Sequence, residues 1–196
     1  FDITFIDCCS TFVATDSSTD VTCNQYGNGT GAVFASGGLE PYSYQWSTGS
    51  NSAMAQYLNP GSYSWTVTDQ NNCVLDGEIF IVEPDPIEVF VTGDEVQCFG
   101  GTTDLVVTAT GGTPPYVGTG IHAYSAGYQY IFVTDSNGCQ ANWEGLITEP
   151  DALVATATAG TIQCQGDSTV AIVSASGGVP PYSGTGSFAV SHGVHT

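Results

Sequence analysis

The feature that most constrains this chain is a cysteine-framed phrase that it carries three times. Each copy starts at a cysteine and passes through an alternating strand, a Gly-Gly pair and a Pro-Tyr step. In the first two copies a Val-Thr-Asp turn and a second cysteine close it. The middle copy has Cys98, Ala109-Thr110-Gly111-Gly112, Pro114-Pro115-Tyr116, Phe132-Val133-Thr134-Asp135 and Cys139. The first has Cys23, Ala35-Ser36-Gly37-Gly38, Pro41-Tyr42, Thr66-Val67-Thr68-Asp69 and Cys73. The third has Cys164, Ala175-Ser176-Gly177-Gly178 and Pro180-Pro181-Tyr182, with no second cysteine before Thr196. Cys98 and Cys164, Gly111 and Gly177, Thr68 and Thr134, and Glu83 and Glu149 all stand 66 residues apart. A period of that length means a tandem array.

The upstream half of each copy keeps the same register. Phe12, Ile87 and Leu153 each precede their cysteine by eleven residues. Glu83-Pro84 and Glu149-Pro150 mark the joints, because proline cannot continue a ladder and stiffens a linker. The boundaries that follow are residues 10–84 for a first repeat, 85–150 for a second and 151–196 for an incomplete third. Residues 1–9 form either the last strand of a preceding repeat or a donor strand, with Cys8-Cys9 at the position of the Glu-Pro joint.

Strand signals recur every 8 to 12 residues, and helical periodicity is absent throughout. Tyr42-Ser43-Tyr44-Gln45-Trp46 and Tyr63-Ser64-Trp65-Thr66-Val67 alternate, with Asn59-Pro60-Gly61 turning the chain between them. Glu78 to Val82, Leu105 to Thr108, Tyr128 to Val133, Gly145 to Ile147 and Phe188 to Val190 read the same way. The fold class is therefore all-β, a β-sandwich repeated in series. Between Tyr116 and Tyr128 the second repeat is shorter, where the first carries an insertion around Ser47 to Gln56.

Seven cysteines spaced by repeat, without a CxxC or a Cys/His cluster, point to disulfides and an oxidising extracellular setting. His122, His192 and His195 lie in unrelated places and make no zinc ligand set. Nineteen acids stand against no lysine or arginine, giving a formal net charge of −19. Such a chain repels phosphate backbones and anionic lipid, which disfavours nucleic-acid and membrane-surface binding, and it offers trypsin-like proteases no site. No 18-residue apolar run predicts membrane insertion.

The combined order Cys, Ala-Ser-Gly-Gly, Pro-Tyr-Ser-Tyr-Gln-Trp, Gly-Ser-Tyr-Ser-Trp-Thr-Val-Thr-Asp, Asn-Asn-Cys and Glu-Pro resembles the SprB-type repeat. Such repeats build very large surface adhesins of gliding bacteria that use type IX secretion. The resemblance implies tandem immunoglobulin-like sandwiches, export to the cell surface and a role in adhesion or surface fibres. The later repeats depart from the pattern at the Tyr-x-Trp strand, with Tyr116-Val117-Gly118 and Tyr182-Ser183-Gly184.

Within each full repeat the paired cysteines are expected to close a loop, Cys23 with Cys73 and Cys98 with Cys139. Each bond would add on the order of 4 kcal/mol by the chain-entropy estimate. Cys8, Cys9 and Cys164 are left unpaired or intermolecular. Two readings of Cys164 stay open: the array continues, or another molecule completes the third repeat. In the second case Phe1, Ile3 and Phe5 form a donor strand that enters a neighbour's exposed sheet edge, while Cys8 or Cys9 bonds Cys164. Such a head-to-tail contact does not close and makes a filament.

Catalytic constellations are weak: no Gly-x-Ser-x-Gly elbow appears, and Asp94-Glu95 reads as a solvated turn. No catalytic residue, cofactor or metal is assigned. Asp69-x-Asn71 and Asp135-x-Asn137 carry oxygen donors that calcium uses, but Asx turns account for them equally. Asn28-Gly29-Thr30 is a turn and also an N-glycosylation sequon. Asp167-Ser168-Thr169 resembles a short O-glycan acceptor motif at Ser168. Tyr26, Tyr57, Tyr124 and Trp143 are candidates for a sugar-stacking platform, with strand packing as the plainer reading. The expected function is a non-enzymatic extracellular fibre repeat that associates with itself; the alternative is a glycan-binding adhesin module. An enzyme appended to spacer repeats is the third option.

Overall fold

The computed structural model describes residues 9–193, and there are fourteen strands and no helix among them. Phe1, Ile3, Phe5, Cys8 and His195 lie outside the described residues.

In the first repeat, β1 (Val13–Thr19) pairs antiparallel with β2 (Gly29–Ser36), and β2 with β4 (Met54–Leu58). The opposing sheet runs β3 (Ser43–Trp46), β5 (Gly61–Thr68), β6 (Val74–Ile81). Alternation explains both layers. Gly31 and Val33 of β2, Trp65 and Val67 of β5, and Ile79 and Ile81 of β6 turn inward at a period of two. They meet Trp46, Ala55 and Leu58 in one core. Fully burying a side chain of this size contributes about 1.5–3 kcal/mol. Trp46 satisfies its indole N–H on Ser52 O at 2.9 Å, and Trp65 donates to Asp16 Oδ2 at 2.9 Å.

The second repeat places β7 (Glu88–Gly93), β8 (Thr102–Thr110) and β9 (Gly120–Ser125) in one sheet and β10 (Gly127–Thr134) with β11 (Gln140–Ile147) in another. The Tyr-x-Trp departure has a visible cost. Where the first repeat has β3, the second has only the bridge Val117 to Thr134. The insertion around Ser47 to Gln56 contains the turn after β3 and the start of β4.

The third repeat is a single sheet, β12 (Val154–Ala159), β13 (Ser168–Ser176), β14 (Gly186–Ser191). Its inward-pointing residues Ala171, Val173 and Ala175 are only half-buried, whereas Val33 and Val107, the counterparts of Val173, are buried.

The chain divides into two compact units that cut across the sequence repeats. One comprises Phe1–Glu88, Thr110–Val117 and Thr134–Ala141, and the other Val89–Ala109, Gly118–Val133 and Asn142–Thr196. The first unit captures the Gly-Gly-Thr-Pro-Pro loop and the Asp135 hairpin of the second repeat. A disulfide and the backbone bond Gly112 N to Asp85 O at 2.7 Å lie within it.

Candidate functional site

The pieces of the repeated phrase converge on one buried aspartate per full repeat. The first glycine of each pair sits at φ +72, +74 or +72, and a Cβ there would strike the carbonyl of Thr11, Pro86 or Ala152. Only glycine takes that backbone conformation at so close an approach. Next to it, Gly38 leaves room for the Asp69 carboxylate and Gly112 for that of Asp135. Asp69 Oδ2 accepts from Leu39 N and Oδ1 from Cys73 N, both at 2.9 Å. Asp135 Oδ2 accepts from Thr113 N, and its Oδ1 from Asn137 N and Cys139 N, all at 2.9 Å. Burial by itself would raise each carboxyl, but the backbone N–H donors outweigh it and hold both below the usual aspartate range. The tyrosine of each Pro-Tyr step closes the same loop, with Tyr42, Tyr116 and Tyr182 hydroxyls donating to Gly37, Gly111 and Gly177 carbonyls.

These carboxylates face N–H donors, so their lone pairs are directed at the backbone rather than towards a cation. Asp69 and Asp135 are thus hairpin anchors, and no cluster of three or more His, Cys, Asp or Glu side chains suited to a metal exists among the described residues.

The cysteine pairing differs from the expectation. Cys9 bonds Cys73 with Cα atoms 5.5 Å apart, and Cys23 bonds Cys139 at 5.7 Å. Neither Cys23–Cys73 nor Cys98–Cys139 forms. Cys98 and Cys164 are free and exposed, and Cys9, expected to be unpaired or intermolecular, is bonded. The reason is positional. The Asp69 hairpin packs beside Phe12 at the start of its repeat, where a Cβ on Gly38 would touch both Phe12 and Asp69. The Cys23 loop lies at the other end, held by Val21 N to Val82 O at 3.2 Å and Gln25 N to Glu83 Oε2 at 2.6 Å. A cysteine at one end of a sandwich cannot reach a cysteine at the other. Each hairpin cysteine bonds instead at the joint upstream of its own repeat: Cys73 to Cys9, and Cys139 to Cys23.

Around the second bond the contact is polar as well as covalent. Asn24 Nδ2 donates to Pro84 O at 3.1 Å, and Asn137 Nδ2 donates to Thr22 O at 3.0 Å. An open cleft beside it is lined by Thr22, Tyr26, Asp85, Ile87, Asn137 and Gln140.

The remaining candidates are scattered. Asn28 is half-buried, with its Oδ1 accepting Thr22 N at 3.0 Å and its Nδ2 donating to Thr22 Oγ1 at 2.9 Å, so its side chain builds the turn. Ser168 is exposed at the start of β13. Tyr124 packs against the Val96, Leu105 and Ile147 core, and the Trp143 ring covers Gly145. Tyr26 and Tyr57 remain exposed, at 58% and 81%. The upstream joint bonds escaped sequence reasoning, although Cys9 occupying a joint position was the available signal.

Residues 15–51 match the family model described as the SprB repeat. This segment runs from β1 through the Cys23 loop, the Gly-Gly pair and the Pro-Tyr step to the turn after Trp46. This segment is therefore similar to the SprB repeat, a structural repeat of cell-surface adhesins. No curated protein matches the chain.

Proposed function

We propose that this protein is a non-enzymatic, secreted structural segment of an adhesive surface fibre, and that its task is to hold distance under load. The observation that carries this reading is the Cys23–Cys139 bond. It shortens the covalent path past a sequence separation of 116 residues. Pulled from its ends, the chain cannot pay out that length while the bond stands. At about 3.5 Å per extended residue the locked contour is roughly 400 Å. The other bond, Cys9–Cys73, spans 64 residues and overlaps the first loop, so it alone would lock only about 220 Å.

The test is single-molecule stretching of the native chain with and without reductant. Reduction is expected to lengthen the fully extended chain by roughly 400 Å. An increment near the smaller figure, or none, removes the load-bearing role.

Head-to-tail strand complementation is the finer form of the fibre reading. It is supported by the third repeat, whose single sheet leaves Phe188 at 45% exposure on the same face as the half-buried Ala171 and Val173. The Phe1, Ile3 and Phe5 strand of a second copy would cover that sheet, and Cys8 would bond Cys164, since Cys9 is already engaged. A ladder on a non-reducing denaturing gel that collapses to about 20 kDa on reduction supports covalent subunits, and a mass unchanged by reductant excludes them. The glycan-binding alternative rests on exposed Tyr26 and Tyr57; it requires glycan-array binding that alanine at these positions abolishes. Glycans carried on Asn28 or Ser168 would suit an exposed fibre, and intact mass before and after deglycosylation tests for them.

A further inference from the structure

We propose that Cys98 is a joint cysteine, built to bond the cysteine of an Asp-x-x-x-Cys hairpin in a further SprB-type repeat. The partner is identified by the chemistry that already engages its counterpart. Cys23 and Cys98 occupy the same position of successive repeats, and Cys23 is bonded to Cys139, which follows Asp135 by four residues.

The two loops are built alike, contact by contact. Cys23 O accepts Tyr26 N at 3.0 Å, and Cys98 O accepts Gly101 N at 2.9 Å. Glu83 Oε2 accepts Gln25 N at 2.6 Å, and Glu149 Oε2 accepts Gly100 N at 2.6 Å. Val21 N donates to Val82 O at 3.2 Å, and Val96 N to Thr148 O at 3.1 Å. Val21 and Val96 anchor the loops from below at 4% and 2% exposure. One loop holds a bonded cysteine and the other an exposed thiol.

The remaining hairpin cysteines of this chain are not available to Cys98. Cys73 and Cys139 are both already bonded upstream of their own repeats. The register is therefore directional: a loop cysteine reaches forward to the hairpin of the following repeat, and a hairpin cysteine reaches back. A run of such bonds would make every joint covalent, extending to the array the length-locking assigned above to Cys23–Cys139. The inference concerns pairing alone and survives if the load-bearing reading fails.

The bond forms when the Cys98 thiol and the hairpin thiol give up two electrons and two protons. A disulfide oxidant accepts both and leaves as two thiols, so the exchange balances. An oxidising extracellular setting supplies such oxidants.

The test is disulfide mapping of native fibre material. Free thiols are first alkylated without reductant; the protein is then digested with pepsin at acid pH, which needs no basic residue and suppresses thiol exchange, and the peptides are sequenced by mass spectrometry. The expected product is a Cys98 peptide linked to a peptide with aspartate four residues before its cysteine, distinct from the 69–73 and 135–139 hairpins. Mass on a denaturing gel with and without reductant then tells whether that hairpin belongs to the same chain or a second one; either outcome keeps the proposal. Cys98 recovered alkylated, or bridged to Cys8 or Cys164, overturns it.

Discussion

The first and second repeats solve the same packing problem with different side chains. In the first, the Trp46 ring lies over Gly31, where an added Cβ would come within 2.9 Å of it. The second has no tryptophan on that strand, and Leu105 stands where the first has Gly31, itself 5% exposed. On the opposing sheet, Trp65 covers Gly77 across the β5–β6 pair. In the second repeat Ile131 takes the position of Trp65 and Trp143 that of Gly77, while Gly145 takes that of Ile79 and lies under the Trp143 ring. Large and small residues have changed places, and the period of two has survived. Hydrophobic pattern sets the sandwich, and local volume exchange lets the copies diverge.

That difference can be broken most sharply at Trp46. Trp46→Ala should destabilise the first repeat by about 3–5 kcal/mol, because it empties the largest fully buried site and orphans the Ser52 carbonyl. Leu105→Ala should cost the second repeat about 2–5 kcal/mol. Urea midpoints followed by tryptophan fluorescence measure both. Gly31→Leu should itself destabilise, since the new side chain meets Ile79 and Trp46. Combined with Trp46→Ala it should cost less than the sum of the two singles. Additive costs would mean that Leu105 does not substitute for the missing ring.

A second contrast lies between the two disulfides. By loop size each adds about 4–5 kcal/mol in the chain-entropy estimate, with about 2–4 kcal/mol the usual measured yield. Cys73 is 3% exposed within the first core, whereas Cys139 is half-buried. Cys9→Ser with Cys73→Ser should therefore lower the thermal midpoint more than Cys23→Ser with Cys139→Ser, because only the first pair buries an unpartnered hydroxyl. Calorimetry on both variants checks the order, and equal losses would mean that loop closure alone sets the effect.

Much of this was legible in the residues. Alternation at Tyr63 to Val67 and at Leu105 to Thr108 gives strands β5 and β8, and the repeat itself ties Gly-Gly to Val-Thr-Asp. The meaning of that tie was not legible: periodicity identifies equivalent positions and is silent about neighbours in space. Cys23 and Cys73 share a repeat yet lie at opposite ends of it. The Asx turn expected of these motifs is present, with Asn137 N donating to Asp135 Oδ1, but nothing in the residues signalled that the Asp69 carboxylate also reaches back thirty positions to Leu39 N. Long-range contacts of one side chain with a distant backbone leave no local pattern.

The smallest effect expected, and the one that should be common to both repeats, is a response to acid at Asp69 and Asp135. Burial and the backbone donors oppose each other at each carboxyl, leaving only their difference. The folded value lies below the unfolded one, so the contribution is complete above the ordinary aspartate range and is lost as pH falls through the lower folded value. Acidification also relieves the mutual repulsion of nineteen carboxylates, which acts in the other direction and hides the local loss. A difference measurement cancels that shared term. Asp135→Asn retains one acceptor oxygen where the carboxylate offered two, so it should destabilise at neutral pH and converge on the parent as pH drops. Chemical denaturation of both proteins across the acid range reads the gap between them. A gap that stays constant with pH would mean that the anchor is steric and that its charge contributes nothing.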